Sequence, residues 1–359
     1  MTTVASMIPH SRPSIGEEDL RATAEVLRSG QIAQGPRVER FEHDMAGFLD
    51  LRGGVAVSSG TAALELSLRA LRIGAGDEVI MPSYVCQAPW LAAQRVGAEA
   101  RLVDIDLQTF NIDPVAAGRA VTNKTRAIIV PHLFGLPADL TALEKLGVPL
   151  IEDCAQTLGV TESGRPVGTV GRLTVCSFYA TKLLCAGEGG MVLSNDEELL
   201  DRVRSLREYD GAPTLDSSSF NLKLTDLQAA LGLSQLERLQ SFQERRCFLA
   251  ATYREALSFK GVFLPTASPY TQHGYYRFTI RIPHLRTDPD GLPSLISRLE
   301  QQGIHCRKPV FRPLHLYLDQ SGFPKSDEAD RTALSIPFYP DLTDDEVRQI
   351  HQSLSKVLS

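Results

Sequence analysis

The 359-residue chain is short of several things that would assign it quickly. It has no apolar run near the ~18 residues a membrane-spanning helix needs. It has no excess of one charge: 37 Lys and Arg stand against 43 Asp and Glu, a net charge of −6 with no block of like sign. That balance argues against a large nucleic-acid surface. Aromatic residues are 7% of the chain, with a single Trp. The six cysteines, Cys86, Cys154, Cys176, Cys185, Cys247 and Cys306, form no C-x-x-C pair. No His or Cys pair has zinc-ligand spacing, so no metal is expected and the thiols read as buried and reduced. P-loop, H-E-x-x-H and G-x-S-x-G motifs are missing. The N-terminus, MTTVASMIPHSRPS, has no basic segment leading into an apolar core, so no signal peptide and a cytoplasmic location are expected.

The chain does have 43% hydrophobic residues, ordinary for a folded protein and too many for a disordered one. Its length suggests two domains. Residues 17–28 and about 37–50 carry apolar positions at helical spacing. Short, wholly apolar runs then alternate with helical stretches: GGVAV, EVIM, ARLVDI, RAIIV, PLIED, LTVCSF and GMVLSN. Such strands predict a mostly parallel sheet covered on both faces, an α/β fold. Residues 211–224 read as an excursion loop, and 225–257 as a long helix able to link two domains. YYRFTIRI and GIHC are expected strands of a smaller C-terminal α+β domain, with helices at DGLPSLISRLEQQ and TDDEVRQIHQSLSKVL. The boundary is placed near residue 240, giving a large domain 1–240 and a small one 241–359.

Four segments of the large domain carry chemistry. Ser58-Ser59-Gly60-Thr61 is a polar turn between a strand and a helix, whose free N–H groups suit a phosphate; a plain helix cap is the alternative. In PLIEDCAQ a buried strand runs into Glu152-Asp153, where α/β proteins bind ligands. An Asp there can keep a heterocyclic nitrogen protonated, with Gln156 close behind; an acid that merely caps the next helix is the alternative. In SFYATKLLCAGEGG, Lys182 can form a Schiff base if partly buried, and Ser177 can bind phosphate. The 187–190 Gly-Glu-Gly-Gly run permits tight turns nearby. A solvated surface lysine is the alternative. The fourth is Asn221, by itself an ordinary turn residue. A phosphate turn, an acid for a ring nitrogen and a lysine for an aldehyde together are what pyridoxal 5′-phosphate requires.

The order of these motifs resembles the DegT/DnrJ/EryC1/StrS family, the sugar aminotransferases of fold type I. The similarity runs from RPSIGEEDL and SGQIAQGPRVERFE through IEDCAQTLG, SFYATKLLCAGEGG and NLKLTDLQAALGLSQLERL to LSIPFYPDLTDDEV. It implies transfer of an amino group from an amino acid such as glutamate to a keto-sugar, nucleotide-linked in the usual case. Lys182 would be the Schiff-base lysine and proton shuttle, and Asp153 the partner of the pyridine nitrogen. Gly60, Thr61 and Ser177 would hold the phosphate, and Gln156 would lie near the ring hydroxyl. Asn221 would reach the phosphate of a partner subunit, which implies a homodimer with shared sites. A dehydratase of the same family and a non-enzymatic cofactor-binding regulator are the competing expectations; retention of Lys182 disfavours the first but leaves lysine-bearing lyases open, and Lys182, Asp153 and Ser177 together argue against the second.

Three positions depart from the family pattern. Cys86 stands where an aromatic ring commonly stacks on the cofactor, so the thiol or a neighbour such as Tyr84 must supply that face, with weaker cofactor retention expected. Tyr209 replaces a frequent His, and Gln31 a frequent aromatic; both lie on the family's substrate side. Arg307, Lys308 and Arg312, followed by His315, are candidates for a diphosphate, unless they form only a solvated basic loop.

Overall fold

The structure, a computed structural model, describes residues 7–209, 219–257, 261–288 and 291–358. Two helices lead: α1 (Glu17–Ser29), ending on the left-handed Gly30, and α2 (Pro36–Phe48), which starts on a proline whose missing N–H costs nothing at that position. Strands and helices then alternate: β1 (Gly53–Val57), α3 (Gly60–Ala70), β2 (Glu78–Pro82), α4 (Ala88–Val96), β3 (Glu99–Val103), α5 (Pro114–Ala120), β4 (Thr125–Pro131), α6 (Leu140–Glu144) and β5 (Leu150–Asp153). A two-residue hairpin, β6 (Thr161–Glu162) with β7 (Arg165–Pro166), precedes β8 (Leu173–Ser177), β9 (Gly190–Ser194) and α7 (Glu197–Arg207).

Seven of these strands form one sheet in the order β1-β9-β8-β5-β4-β2-β3. The pairings from β8 through β3 are parallel; β9 runs antiparallel to both β8 and β1. Strands β2, β5 and β9 are buried along their whole length, because helices cover both faces. The mostly parallel sheet thus matches the α/β expectation, and it brings the carboxyl ends of β2, β4, β5 and β8 to one edge.

Helix α8 (Asp226–Ala256) begins with a capping box in which Thr225 and Gln228 satisfy each other's backbone. It passes between two cores. Ala229, Leu233 and Leu239 pack with α2 and the strand residues Met191 and Leu193, whereas Leu249, Ala250 and Tyr253 pack with the C-terminal elements. Those elements are β10 (Phe278–Arg281), α9 (Gly291–Gln301), α10 (Leu314–Tyr317), α11 (Pro324–Thr332), β11 (Ala333–Ile336) and α12 (Asp344–Leu358); β10 and β11 pair antiparallel. Residues 303–306, expected as a strand, make only an isolated bridge, Ile304 to Ile8. Through that bridge the N-terminal Ile8 joins the C-terminal core rather than the sheet's. Residues 211–218 of the expected loop lie outside the described residues. Among the described residues no helix is long and apolar enough to cross a membrane.

Candidate active site

The cavity that collects the chemical motifs has a volume of about 240 Å³ and opens at the carboxyl edge of the parallel strands. Its floor is the start of α3. Ser59 caps that helix, its hydroxyl accepting the Ala62 N–H at 3.1 Å. The cap alternative thus holds for the Ser59 hydroxyl, and the Gly60 and Thr61 end of the turn faces the cavity. Gly60 has no room for a side chain: a Cβ there would lie 2.8 Å from the Ser177 Cβ. Gly190 is under the same constraint, since its Cβ would meet the Ser59 carbonyl oxygen at 2.4 Å. Close approach of β8, β9 and α3 therefore requires glycine at both positions and sets Ser177 against the turn.

The opposite wall comes from β5 and the residues after β4. Asp153 ends β5 and takes one hydrogen bond, from the Ala155 N–H at 3.0 Å. Burial pushes its carboxyl above the usual range, against the pull of that N–H and of the Lys182 charge. Gln156 accepts the Phe134 N–H through Oε1 at 2.9 Å, which fixes its amide with the NH₂ group as a free donor. His132 also lines the cavity. Its Nδ1 accepts the Ala138 N–H (3.0 Å), so the ring proton resides on Nε2, which donates to Glu152 (3.2 Å).

Glu152, adjacent to Asp153 in sequence, points the other way. It is fully buried and also accepts the N–H groups of Gly168, Val170 and Gly171. Burial opposes ionisation, yet the bonds from His132, Gly171 and Gly168 hold its carboxyl below the usual range. Alternation along a strand thus divides the acid pair: Asp153 serves the cavity and Glu152 the scaffold. Ligand atoms of His132, Glu152 and Cys154 lie within 4.8 Å of one another. The first two are committed to each other, and burial raises the Cys154 thiol well above its ordinary pKa, so this trio is hydrogen-bonded scaffold.

Lys182 projects from a loop closed by backbone bonds, Ala180 N–H to Gly187 and Ala186 N–H to Phe178. Its Nζ stands 5.3 Å from the ring centre of Tyr276. Burial would raise the Tyr276 phenol, but the Lys182 and Arg277 charges dominate and bring it down to about 8. Sequence reading placed Tyr276 only in a strand and did not single out His132, Tyr179 or Glu188, all of which adjoin the site. The strand-end position of His132 in RAIIVPH is the one signal that could have found it.

Cys86, with Val85 and Ala88, forms the remaining wall. Its surface is accessible because it faces the cavity. Surrounding protein pushes its thiol pKa up, partly offset by the Ala88 N–H and Lys182. Tyr84 cannot serve in its place: it is fully buried and stacks on Phe110. Of the other thiols, Cys247 is exposed on α8, contrary to the buried reading, while Cys154, Cys176, Cys185 and Cys306 are buried.

The structure therefore brings together Gly60, Thr61, Cys86, Asp153, Gln156, Ser177 and Lys182. It leaves the other candidates outside this cavity. Asn221 is exposed, although the neighbouring Leu222 carbonyl accepts the Ser58 N–H at the α3 turn. Tyr209 is 59% exposed and Gln31 is exposed on the loop before α2. Arg307 reaches His305, Arg312 lies over Tyr317, and Lys308 pairs with Asp330 at 2.7 Å. His315 is buried between Ser83 and Asp327, a structural placement that leaves no ring nitrogen free for a ligand.

An apolar-walled cleft with a lysine, a buried aspartate and a glycine-tight helix start defines a transaminase-like class of site. The model of the DegT/DnrJ/EryC1/StrS aminotransferase family matches residues 13–355. The chain is 36% identical to the dTDP-3-amino-3,4,6-trideoxy-alpha-D-glucose transaminase of Streptomyces venezuelae, over 90% of this chain and 89% of that one. Among solved structures it superposes on the aminotransferase TlmJ from Streptoalloteichus hindustanus with a TM-score of 0.91 at 31% identity, covering 98% and 99% of the two chains. It likewise matches Spr1654 from Streptococcus pneumoniae, solved in a PLP form, with a TM-score of 0.89 at 27% identity over 98% and 100%. The chain belongs to the DegT/DnrJ/EryC1/StrS aminotransferase family and is an aminotransferase.

Proposed function

We propose that this aminotransferase works with pyridoxal 5′-phosphate held in the 240 Å³ cavity and passes an amino group from glutamate to a nucleotide-linked keto-sugar. The observation that carries the reading is a buried carboxylate with no side-chain partner, Asp153, sharing one cavity with Lys182. A carboxyl raised by burial gains most from a cationic ligand, and a pyridinium N–H is one. The cradle at Gly60, which a Cβ would fill, suits a phosphate at a helix start. When bound, the cofactor supplies an aldehyde and an electron-accepting ring.

The chain's own residues would divide the work. The Gly60 and Thr61 N–H groups and the Ser177 hydroxyl hold the phosphate. Asp153 keeps a proton on the ring nitrogen, and the Gln156 NH₂ donates beside the ring. Cys86 and Val85 cover one ring face and exclude water. Lys182 Nζ would hold the cofactor through its aldehyde carbon and, once freed by the incoming amine, would serve as the base and acid that moves a proton at the substrate carbon. A 36%-identical relative named as a transaminase forming a dTDP-amino sugar supports the sugar acceptor.

The homodimer is part of the same proposal. Phe220 (64% exposed) flanks Asn221, and Phe311 (86%) precedes Arg312, so apolar side chains crowd the candidates that the single-chain cavity leaves out. We place the two-domain division within α8 near residue 240, and the protein in the cytoplasm. Borohydride reduction followed by peptide mapping tests the central claim. The expected result is a cofactor adduct on Lys182 and a visible absorbance band lost with glutamate and restored by a keto-sugar nucleotide. Equal cofactor binding by Lys182→Ala, with no adduct in the unsubstituted protein, refutes it.

A further inference from the structure

A cleft runs between the large domain and the C-terminal segment 262–273, and none of the residues that line it lines the catalytic cavity. It has two lobes, of about 560 Å³ and about 340 Å³, and Gln108 borders both. They meet at a neck of about 10 Å³, room for one water-sized group. The wider lobe is larger than the 240 Å³ catalytic cavity and falls within the range of small-molecule sites, about 300–1,000 Å³. Phe134 lines the neck and gives its N–H to Gln156, so the 133–136 segment is the wall between cleft and catalytic cavity.

The wider lobe is acidic. Asp106, Asp113, Asp139 and Glu162 line it, among hydroxyl residues such as Ser268 and Thr271, with no Lys, Arg or His. Three of the acids are already used. Asp106 accepts the Gln108 and Thr109 N–H groups at 2.9 Å, Asp113 pairs with Lys325 at 2.9 Å, and Asp139 caps α6. Glu162 differs. It is 6% exposed, its Oε1 accepts the Ser163 hydroxyl, and its Oε2 has no hydrogen bond. Arg165 stands 3.8 Å from Oε2 and binds Glu144 more closely, at 2.7 Å. A second orphan lies in the neck: the Thr279 hydroxyl, on a residue 3% exposed, has no partner. Unmet buried polar groups are costly, and a ligand that meets them recovers the cost. Tyr270, 76% exposed, adds an open aromatic face to the same lobe.

These features select among ligands. A divalent cation needs several ligand atoms drawn together, and among the described residues the lobe's carboxylates form no such group. A polycationic peptide would need several uncommitted carboxylates, whereas three of the four here serve a turn, a cap or Lys325. One ammonium, several hydroxyls and a ring with an apolar C–H face match what remains. We infer that the wider lobe binds an amino sugar, its ammonium at the Glu162 carboxylate and its ring against Tyr270, at a site distinct from the catalytic cavity. An amino sugar is also the product class under the proposed function, and that link alone rests on the keto-sugar reading.

Calorimetric titration of the borohydride-reduced holoenzyme tests the site, since reduction stops exchange at Lys182. The probes are methyl α-glucosaminide, its N-acetyl form and methyl α-glucoside, which share a ring and differ in charge. The glucosaminide is expected to bind at least about tenfold more tightly than the other two. Glu162→Gln should erase that difference. Tyr270→Ala should weaken the glucosaminide about tenfold and leave glutamate turnover of the unreduced enzyme unchanged. Its exposed position keeps the test valid if Glu162→Gln fails to fold. Equal affinity for the three probes, or glucosaminide affinity indifferent to Tyr270→Ala, overturns the assignment. An adduct on Lys182 with no glucosaminide binding refutes the cleft site alone. If borohydride leaves no adduct on Lys182, the proposed function falls, while the titration still reads the cleft.

Discussion

Four donors converge on the carboxylate of Glu152, which is fully buried: His132 Nε2–H and the N–H groups of Gly168, Val170 and Gly171. Glu152→Gln keeps the volume and removes half the acceptors. Gly168 and His132 address one oxygen, Val170 and Gly171 the other. However the amide is turned, two donors then face an NH₂ group. His132 cannot relieve the conflict by moving its proton, because its Nδ1 already accepts the Ala138 N–H. Each buried donor left unsatisfied costs about 1–3 kcal/mol, so the expected loss is about 4 kcal/mol, a large share of a typical 5–15 kcal/mol stability. At an m-value of about 3 kcal/mol/M the urea midpoint should fall by roughly 1 M or more. The pH dependence carries a sign. Because the folded carboxyl is held below its ordinary 4.5, its stabilisation is present above that pH and disappears as pH falls through the lower folded value. The substituted protein should therefore lose less stability on acidification. A denaturation midpoint within about 1 kcal/mol of the unsubstituted protein, or an unchanged acid limb, would refute the assignment of Glu152 as the scaffold's acceptor.

Asp153→Asn should move stability and function in opposite directions. The raised carboxyl makes the cofactor-free protein less stable as pH rises through its folded pKa, so Asn should raise the cofactor-free Tm at pH 8 while abolishing transamination; a lower Tm refutes it. Gly60→Ala places a Cβ 2.8 Å from Ser177 and should cost about 1–3 kcal/mol of stability and at least about tenfold in cofactor affinity, read by fluorescence titration. Cys86→Phe should tighten cofactor retention by adding ring contact; equal affinity in the two proteins counts against Cys86 covering the cofactor. Mixing Lys182→Ala with Asn221→Ala subunits should restore about a quarter of full activity, because half the dimers are hybrids with one intact site each; no recovery after subunit exchange refutes sharing of the site.

Much of this was legible in the sequence because it depends on local pattern. Period and residue type alone place α1, α2, α8 and α12 within a few residues and mark the apolar strands as a covered parallel sheet. The IED-x-A-Q, S-F-x-x-x-K and G-E-G-G segments define the family, because their side chains sit at strand ends and tight turns where few residue types fit. The isolated bridge at Ile304 was not legible, since its pairing partner is Ile8, nearly three hundred residues away.

The residues by themselves pointed to Gly60, Asp153, Ser177 and Lys182 as one group, and the four line one cavity. Only the tertiary structure decided which neighbours share it. Adjacent acids on β5 diverge because a strand alternates its faces. Tyr84 is withdrawn into the core, leaving Cys86 on the cavity wall. His315 is consumed by Ser83 and Asp327. Three arginines far apart in the chain, Arg12, Arg246 and Arg277, meet at one pocket, with no carboxylate in ion-pair contact among the described residues. Charge balance is a property of three-dimensional neighbours, and a net charge of −6 conceals a local surplus of cations.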